Sequence, residues 1–240
     1  MKSPIITHLG ELRKRVFICM LFTLFYMLIS YIFYEPLYQF FSKPFLSIGF
    51  DNHPFYIRSI LEGFFVKLKF SFLFGIIFSI PVYLFHSLRF CLPGLKRSES
   101  RIIMIALFFS FIFSCASFTY GYYLLLPLSI KFLMSYHFIP QDVGILLTYS
   151  DNLFIVFNLL AAIIVVFQLP VILMLLLYFK LVSRSFLLKA SRYIVIIAFI
   201  LSAILTPPDV VSQLMVSLPL IAFFFIVIAI ASIFRWGKHV

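Results

Sequence analysis

Residues 102–126 run for 25 positions without one Asp, Glu, Lys or Arg. The hydrocarbon core of a bilayer is crossed by about 20 helical residues. Inside it every backbone N–H and C=O must find its partner within the protein, which leaves a helix as the solution for a single run of this length. Five further apolar runs, 16–34, 64–88, 153–179, 193–205 and 210–234, alternate with short charged stretches in the same way. The fold expected is an all-α membrane protein with six transmembrane helices, forming one polytopic membrane domain over residues 1–240.

Composition closes the other fold classes. Apolar residues make up 64% of the chain and charged residues 11%, where a soluble domain carries about 25% charged residues. The net charge of +11 would suggest nucleic acid in a soluble protein, but these cations sit in the gaps between apolar runs and form no patch interleaved with aromatics. Cys19, Cys91 and Cys115 fall in or beside apolar runs, an odd number without paired spacing, which points away from disulfides and zinc. The five histidines are scattered. No H-E-x-x-H, G-x-S-x-G or G-x-x-x-x-G-K-[ST] is present, so no nucleophile, metal or nucleotide site is expected, and neither an enzyme activity nor a cofactor.

Ser3 and Pro4 are suited to open a helix. Ile5, Leu9, Leu12 and Val16 then recur at helical spacing, while Glu11 and Arg15 stand four apart and can pair. This segment is expected to lie at the interface before the chain enters the membrane. No small-residue cleavage site follows run 16–34, so it is read as a retained first span and not a signal peptide. Residues 35–62 should hold a short helix packed down on the membrane. Lys67 and Lys69 are placed to snorkel, and Pro81 to kink the second span. The tyrosines of 120–123 suggest an aromatic belt. Residues 180–192 carry four cations and no acid and read as a connection. That leaves span five, 193–205, too short for a full crossing, so the last hairpin is not expected to reach across. There is no clear internal repeat.

Fourteen of the 19 Lys and Arg residues lie in alternate gaps: Lys2, Arg13, Lys14 and Arg15; Arg89, Lys96, Arg97 and Arg101; Lys180, Arg184, Lys189 and Arg192; Arg235 and Lys238. The other side holds only Lys43, Arg58, Lys67, Lys69 and Lys131. The positive-inside rule then places both termini in the cytoplasm.

Within the basic stretch 89–101 stands one carboxylate, Glu99. It can be a solvated acid paired with Arg97 or Arg101, worth about 0–1 kcal/mol, or an acceptor for an incoming guanidinium, whose planar fork a carboxylate engages by two parallel hydrogen bonds. Glu11 is open to the same two readings. Phe90, Pro93 and Leu95 can be ordinary interfacial packing or an apolar wall beside Glu99. Gln168 in mid-span is expected to hydrogen-bond to a neighbouring helix. Asp209 is expected to cap span six by accepting from Val211 or Ser212, with Pro207 and Pro208 fixing the turn.

Four stretches, in order, resemble the TatC family of twin-arginine protein translocases. His8-Leu9-Gly10-Glu11-Leu12-Arg13-Lys14-Arg15 is similar to that family's HLxELRxR motif, and Phe90-x-x-Pro93-Gly94-Leu95 with Glu99 and Arg101 to its first cytoplasmic loop. Tyr120 to Pro127 resembles the end of its third span. Leu205-Thr206-Pro207-Pro208-Asp209-x-x-Ser212-Gln213 resembles its last outer turn. The chain departs from the family at Gln168, where an acid before the proline is usual, and in the Lys96-Arg97-Ser98 preceding Glu99. The resemblance implies a receptor that binds twin-arginine signal peptides of folded cargo through Glu99, Glu11, Phe90, Pro93, Leu95, Arg13 and Arg15. It implies partners of the single-span TatA and TatB types, self-association, and transport driven by the proton-motive force. Gln168 would be a polar contact within the membrane, and Asp209, Pro207, Pro208 and Gln213 an outer functional turn. The implied location is the bacterial inner membrane, with the mitochondrial inner membrane as the alternative. The competing reading is a small secondary transporter or channel subunit, which calls for ionisable residues inside the spans; runs 16–34 and 102–126 have no Asp, Glu, Lys or Arg.

Overall fold

A computed structural model describes residues 4–46, 55–91, 97–134, 146–206, 209–234 and 236–237. They form ten α-helices and a π-helical turn. Five stretches are long and apolar enough to cross a membrane, namely Leu9–Ile32, Arg101–Leu133, Tyr149–Tyr178, Arg184–Leu205 and Val210–Ile233. The sixth span is a broken one, Glu62–Phe78 followed by Ile80–Phe90, bent by 46°. The described residues group into two compact units.

The first unit is built on α1 (Pro4–Ile32), α2 (Tyr34–Leu46, to Ser42), α3 (Glu62–Phe78), α4 (Ile80–Cys91) and the start of α5 (Arg97–Tyr120). Contrary to the expectation of an interfacial prelude, α1 is one unbroken helix from Pro4 through the first span. Nothing in its sequence terminates it, since Gly10 is the lone weak helix former before Tyr34. Ser3 lies outside the described residues. Along α3 and its C-cap, Ser71, Gly75 and Ser79 recur every fourth residue and are buried, and at Gly75 the absence of a side chain lets α1 lie close, against Thr23 and Met27. Tyr83 of α4 is hydrogen-bonded to the Thr23 hydroxyl of α1, which also donates to the Cys19 carbonyl at 2.9 Å. The break between α3 and α4 falls at Ser79, two residues before Pro81, as the missing proline N–H and its ring dictate. The short helix expected after span one is α2. Its Phe41 sits edge-on to Phe70 and Phe74, and the Lys67 ammonium lies 4.3 Å from the centre of the Tyr31 ring.

The second unit holds the rest of α5, the π turn Gly121–Leu125, α6 (Leu126–Leu133), α7 (Tyr149–Val166), α8 (Leu169–Tyr178), α9 (Arg184–Leu205) and α10 (Val210–Ile233). The third span does not stop at Pro127. The backbone widens to π geometry just before it and continues helical to Leu133. A π turn shifts the hydrogen-bond register by one residue, which accommodates the N–H that proline lacks. The tyrosines here divide: Tyr123 is 70% exposed, Tyr122 is buried, and the Tyr120 hydroxyl donates to the Met215 carbonyl at 3.1 Å. An aromatic belt made of all three is therefore corrected to Tyr123 alone. The central helix is α7, whose Leu153, Phe157, Leu160 and Ile163 are buried. Tyr56 pairs with the start of α7 through Tyr56 N–H to Leu147 O and Tyr149 N–H to Tyr56 O, both 2.9 Å.

Span five is also corrected. α9 begins at Arg184, nine residues earlier than read, where the Ser183 hydroxyl caps it by accepting from Phe186 N–H at 3.2 Å. Its 22 residues extend about 33 Å at 1.5 Å per residue, enough for a hydrocarbon core of about 30 Å. α9 is thus longer than the apolar run 193–205, and it packs on α10.

Candidate functional site

The end of α1 nearest the N-terminus presents Glu11, Leu12, Arg13 and Lys14 to solvent, all exposed, and turns Arg15 inward. The pair expected at four-residue spacing is formed: Arg15 Nη2 donates to Glu11 Oε1. Its other arm does what the spacing could not show. Arg15 Nη1 donates to the backbone carbonyl of His86 in α4 at 3.2 Å. The Arg15 side chain is 12% exposed and the Glu11 side chain 48%, so the anchor is largely covered and the carboxylate it holds remains open. Four residues after His86 comes Phe90, half-buried, and Arg89 lies with its guanidinium 5.9 Å from the Phe85 ring. Glu11 is therefore tied through Arg15 to the last turns of α4, where its exposed carboxylate can accept from a cationic ligand.

Of the remaining residues singled out in this region, Glu99 falls in the first turn of α5, but its side chain lies outside the described part. Pro93 and Leu95 lie outside the described residues altogether.

The other candidates belong to the second unit. Gln168 sits between α7 and α8, 3% exposed. Its Nε2 donates to Ser114 Oγ of α5 at 3.0 Å and to the Ile164 carbonyl at 3.4 Å. This is the expected interhelical bond, and Ser114 is the partner that sequence reading did not name. The signal for it was a small hydroxyl in an otherwise apolar stretch, Phe113-Ser114-Cys115. Asp209 caps α10 as expected: Oδ1 accepts from Ser212 N–H at 2.6 Å and Oδ2 from the Ser212 hydroxyl. Gln213 Nε2 donates across to the Phe199 carbonyl of α9 at 3.3 Å, joining the two last helices beside the capped turn. Pro207 and Pro208 are outside the described residues. Among the described residues no cluster of His, Cys, Asp and Glu could hold a metal ion.

Residues 7–219 match the model of the family described as Sec-independent protein translocase protein (TatC). The chain is 32% identical over 237 residues to the Sec-independent protein translocase protein TatC of Desulforapulum autotrophicum, covering 99% of this chain and 87% of that one. It is 33% identical over 224 residues to TatC of Rickettsia prowazekii, with 89% and 86% covered, and 29% identical over 222 residues to TatC of Escherichia coli K12, with 92% and 85% covered. Among solved structures, a crystal structure of the twin arginine translocase receptor TatC in DDM superposes with a TM-score of 0.79 at 27% identity, covering 97% of this chain and 100% of that chain.

Proposed function

The chain belongs to the TatC family of Sec-independent protein translocase proteins, and from that premise we propose that it reads twin-arginine signal peptides with the carboxylates at the basic end of its first unit. It is a multi-pass inner-membrane translocase component, not an enzyme. The observation that carries the reading is the two-armed Arg15 bridge, which fixes Glu11 against the end of α4 while leaving its side chain 48% exposed.

Two consecutive arginines require two acceptors. Glu11 supplies one and Glu99, eight residues beyond α4 in sequence, supplies the other. A carboxylate offers about four lone-pair sites, so Glu11 can keep Arg15 and take a ligand guanidinium as well. Phe90, Pro93 and Leu95 form the apolar wall for the hydrophobic residue that follows the arginines. Arg13 and Arg15 orient the acids. Both termini face the cytoplasm, as the placement of 14 of the 19 Lys and Arg residues supports, and the six spans act as one polytopic domain. Single-span TatA- and TatB-type subunits bind along the membrane helices, with Gln168 as a polar contact and the turn of Asp209, Pro207, Pro208 and Gln213 on the outer face. Copies self-associate, and the proton-motive force drives transport.

The test places a photoreactive residue at Phe90 in native membranes and offers signal peptides bearing Arg-Arg or Lys-Lys. An adduct with Arg-Arg that fades with Lys-Lys, and again in Glu99→Ala, is the result expected. Equal labelling by both peptides would reduce this end of the protein to a basic membrane surface and remove the proposal.

A further inference from the structure

Four cations, Lys180, Arg184, Lys189 and Arg192, lie in the α8–α9 connection and the first half of α9, yet residues 152–208 and 210–240 contain no Asp or Glu. The single acid between those stretches, Asp209, caps the opposite end of α10. That helix is 24 residues long, about 36 Å at 1.5 Å per residue. The far end of α10 is tied to the start of α9 by Arg184 N–H to Gly237 O at 3.2 Å and by Arg184 Nη1 to Ser232 Oγ at 2.9 Å. Arg192 stacks on Tyr193. Lys180 is exposed, at φ 56°, and its ammonium has no ion pair or hydrogen bond among the described residues. Residues 152–240 therefore supply no carboxylate to balance these four cations.

Directly beside it α8, α9 and α10 enclose a cleft of about 230 Å³ with no polar side chain in its lining. Leu173 and Leu176 form one wall, Ile194 and Ala198 the other, with Leu220 and Phe224 behind. Leu176 of the cleft wall is followed four residues on by the exposed Lys180, just past the end of α8. A helix of about 10 Å diameter and 1.5 Å rise fills roughly 120 Å³ per residue, so the cleft holds about two residues of a partner helix. That is too little to seat a partner helix, and the wholly apolar lining suits a single hydrocarbon chain. We propose that this is a binding site for one anionic phospholipid, its acyl chain in the α8–α9–α10 cleft and its phosphate on Lys180 and Arg184.

The single tryptophan of the chain, Trp236, reports on the site. It packs against the same cluster as Leu173 and Ile194, two residues of the cleft. The full-length protein is reconstituted in phosphatidylcholine vesicles containing increasing fractions of phosphatidylglycerol with dibrominated acyl chains, or of phosphatidylcholine brominated in the same way, and Trp236 quenching is followed. The expected result is saturable quenching by the anionic lipid at fractions where the zwitterionic one acts as bulk solvent. Lys180→Gln, a surface change, lowers the preference about fivefold, the factor that corresponds to one cation near a charged lipid surface. Ala198→Leu fills the cleft and abolishes the saturable component. Equal quenching by both lipids in the unaltered protein overturns the proposal, as does saturable quenching that neither substitution changes. Quenching that disappears as protein density in the membrane rises assigns the cleft to a second copy and overturns it likewise.

Discussion

Arg15 of α1 reaches the backbone carbonyl of His86 in α4, 71 residues on, at 3.2 Å. The exposed half of its bridge, to Glu11, is worth at most about 1 kcal/mol by itself. The bond to the carbonyl is charge-assisted and comes from a nearly buried side chain, so it falls in the range of about 1.5–3 kcal/mol. Arg15→Ala is expected to destabilise the purified protein by about 2 kcal/mol and to weaken signal-peptide labelling at Phe90. Arg15→Lys restores charge with a single head that engages one acceptor at a time, so it should recover part of the stability and little of the labelling. Thermal unfolding in detergent reads the first quantity. An unchanged midpoint for Arg15→Ala would show that the bridge holds nothing together.

Gly75 is the contact on which α1 and α3 depend. A Cβ there would stand 2.6 Å from the Thr23 carbonyl oxygen and 3.0 Å from Met27 N, both backbone atoms that no rotamer change can move. Replacing Gly by Ala in a helix normally stabilises by up to about 1 kcal/mol, but here the forced separation of two helices outweighs it, by about 1–3 kcal/mol. Gly10, with nothing within 4 Å of its Cβ position, is the internal control. Gly10→Ala should raise the unfolding midpoint and Gly75→Ala lower it. Two shifts of the same sign would contradict the packing described.

What could be read in advance follows from which forces are local. Absence of charge over 102–126 and the ring of Pro81 act within a few residues, so the spans and the kink of the second one were visible. The true start of α9 was hidden because Lys189 and Arg192 look like loop residues until the helix is seen to carry them on its exposed side; the Ser183 cap was the available signal. The π turn before Pro127 and the division of the tyrosines depend on how Gly121 sits against Leu160 and Ile163, which no spacing encodes. At the site, the Glu11–Arg15 pair was legible from four-residue spacing. The carbonyl of His86 was not, because a backbone acceptor leaves no mark in the sequence.

Gln168 and Ser114 make a neutral hydrogen bond between α5 and the α7–α8 junction at 3.0 Å. Such a bond contributes about 0.5–1.5 kcal/mol net, and in membranes measured values lie near the lower end. Gln168→Leu and Ser114→Ala should each destabilise by about that amount. The double variant should lose less than their sum, since the two changes remove one shared bond. Unfolding midpoints of the four proteins close the cycle. Strict additivity would mean that the contact carries no energy of its own.

Asp209 and Ser212 test whether the turn before α10 needs a charge or a cap. The carboxylate accepts the Ser212 N–H and hydroxyl at the start of α10, and losing an N-cap typically costs about 0.5–2 kcal/mol. Asparagine caps about as well as aspartate, yet it is neutral and cannot use both oxygens. Asp209→Ala is therefore expected to lower stability by about 1–2 kcal/mol, while Asp209→Asn keeps most of it. Cargo export by cells carrying each variant then separates the two roles. Export that follows stability, with Asn active and Ala impaired, makes Asp209 a positioning residue for α10 and the Gln213–Phe199 contact beside it. Export lost in a stable Asp209→Asn protein would assign a role in transport to the negative charge itself.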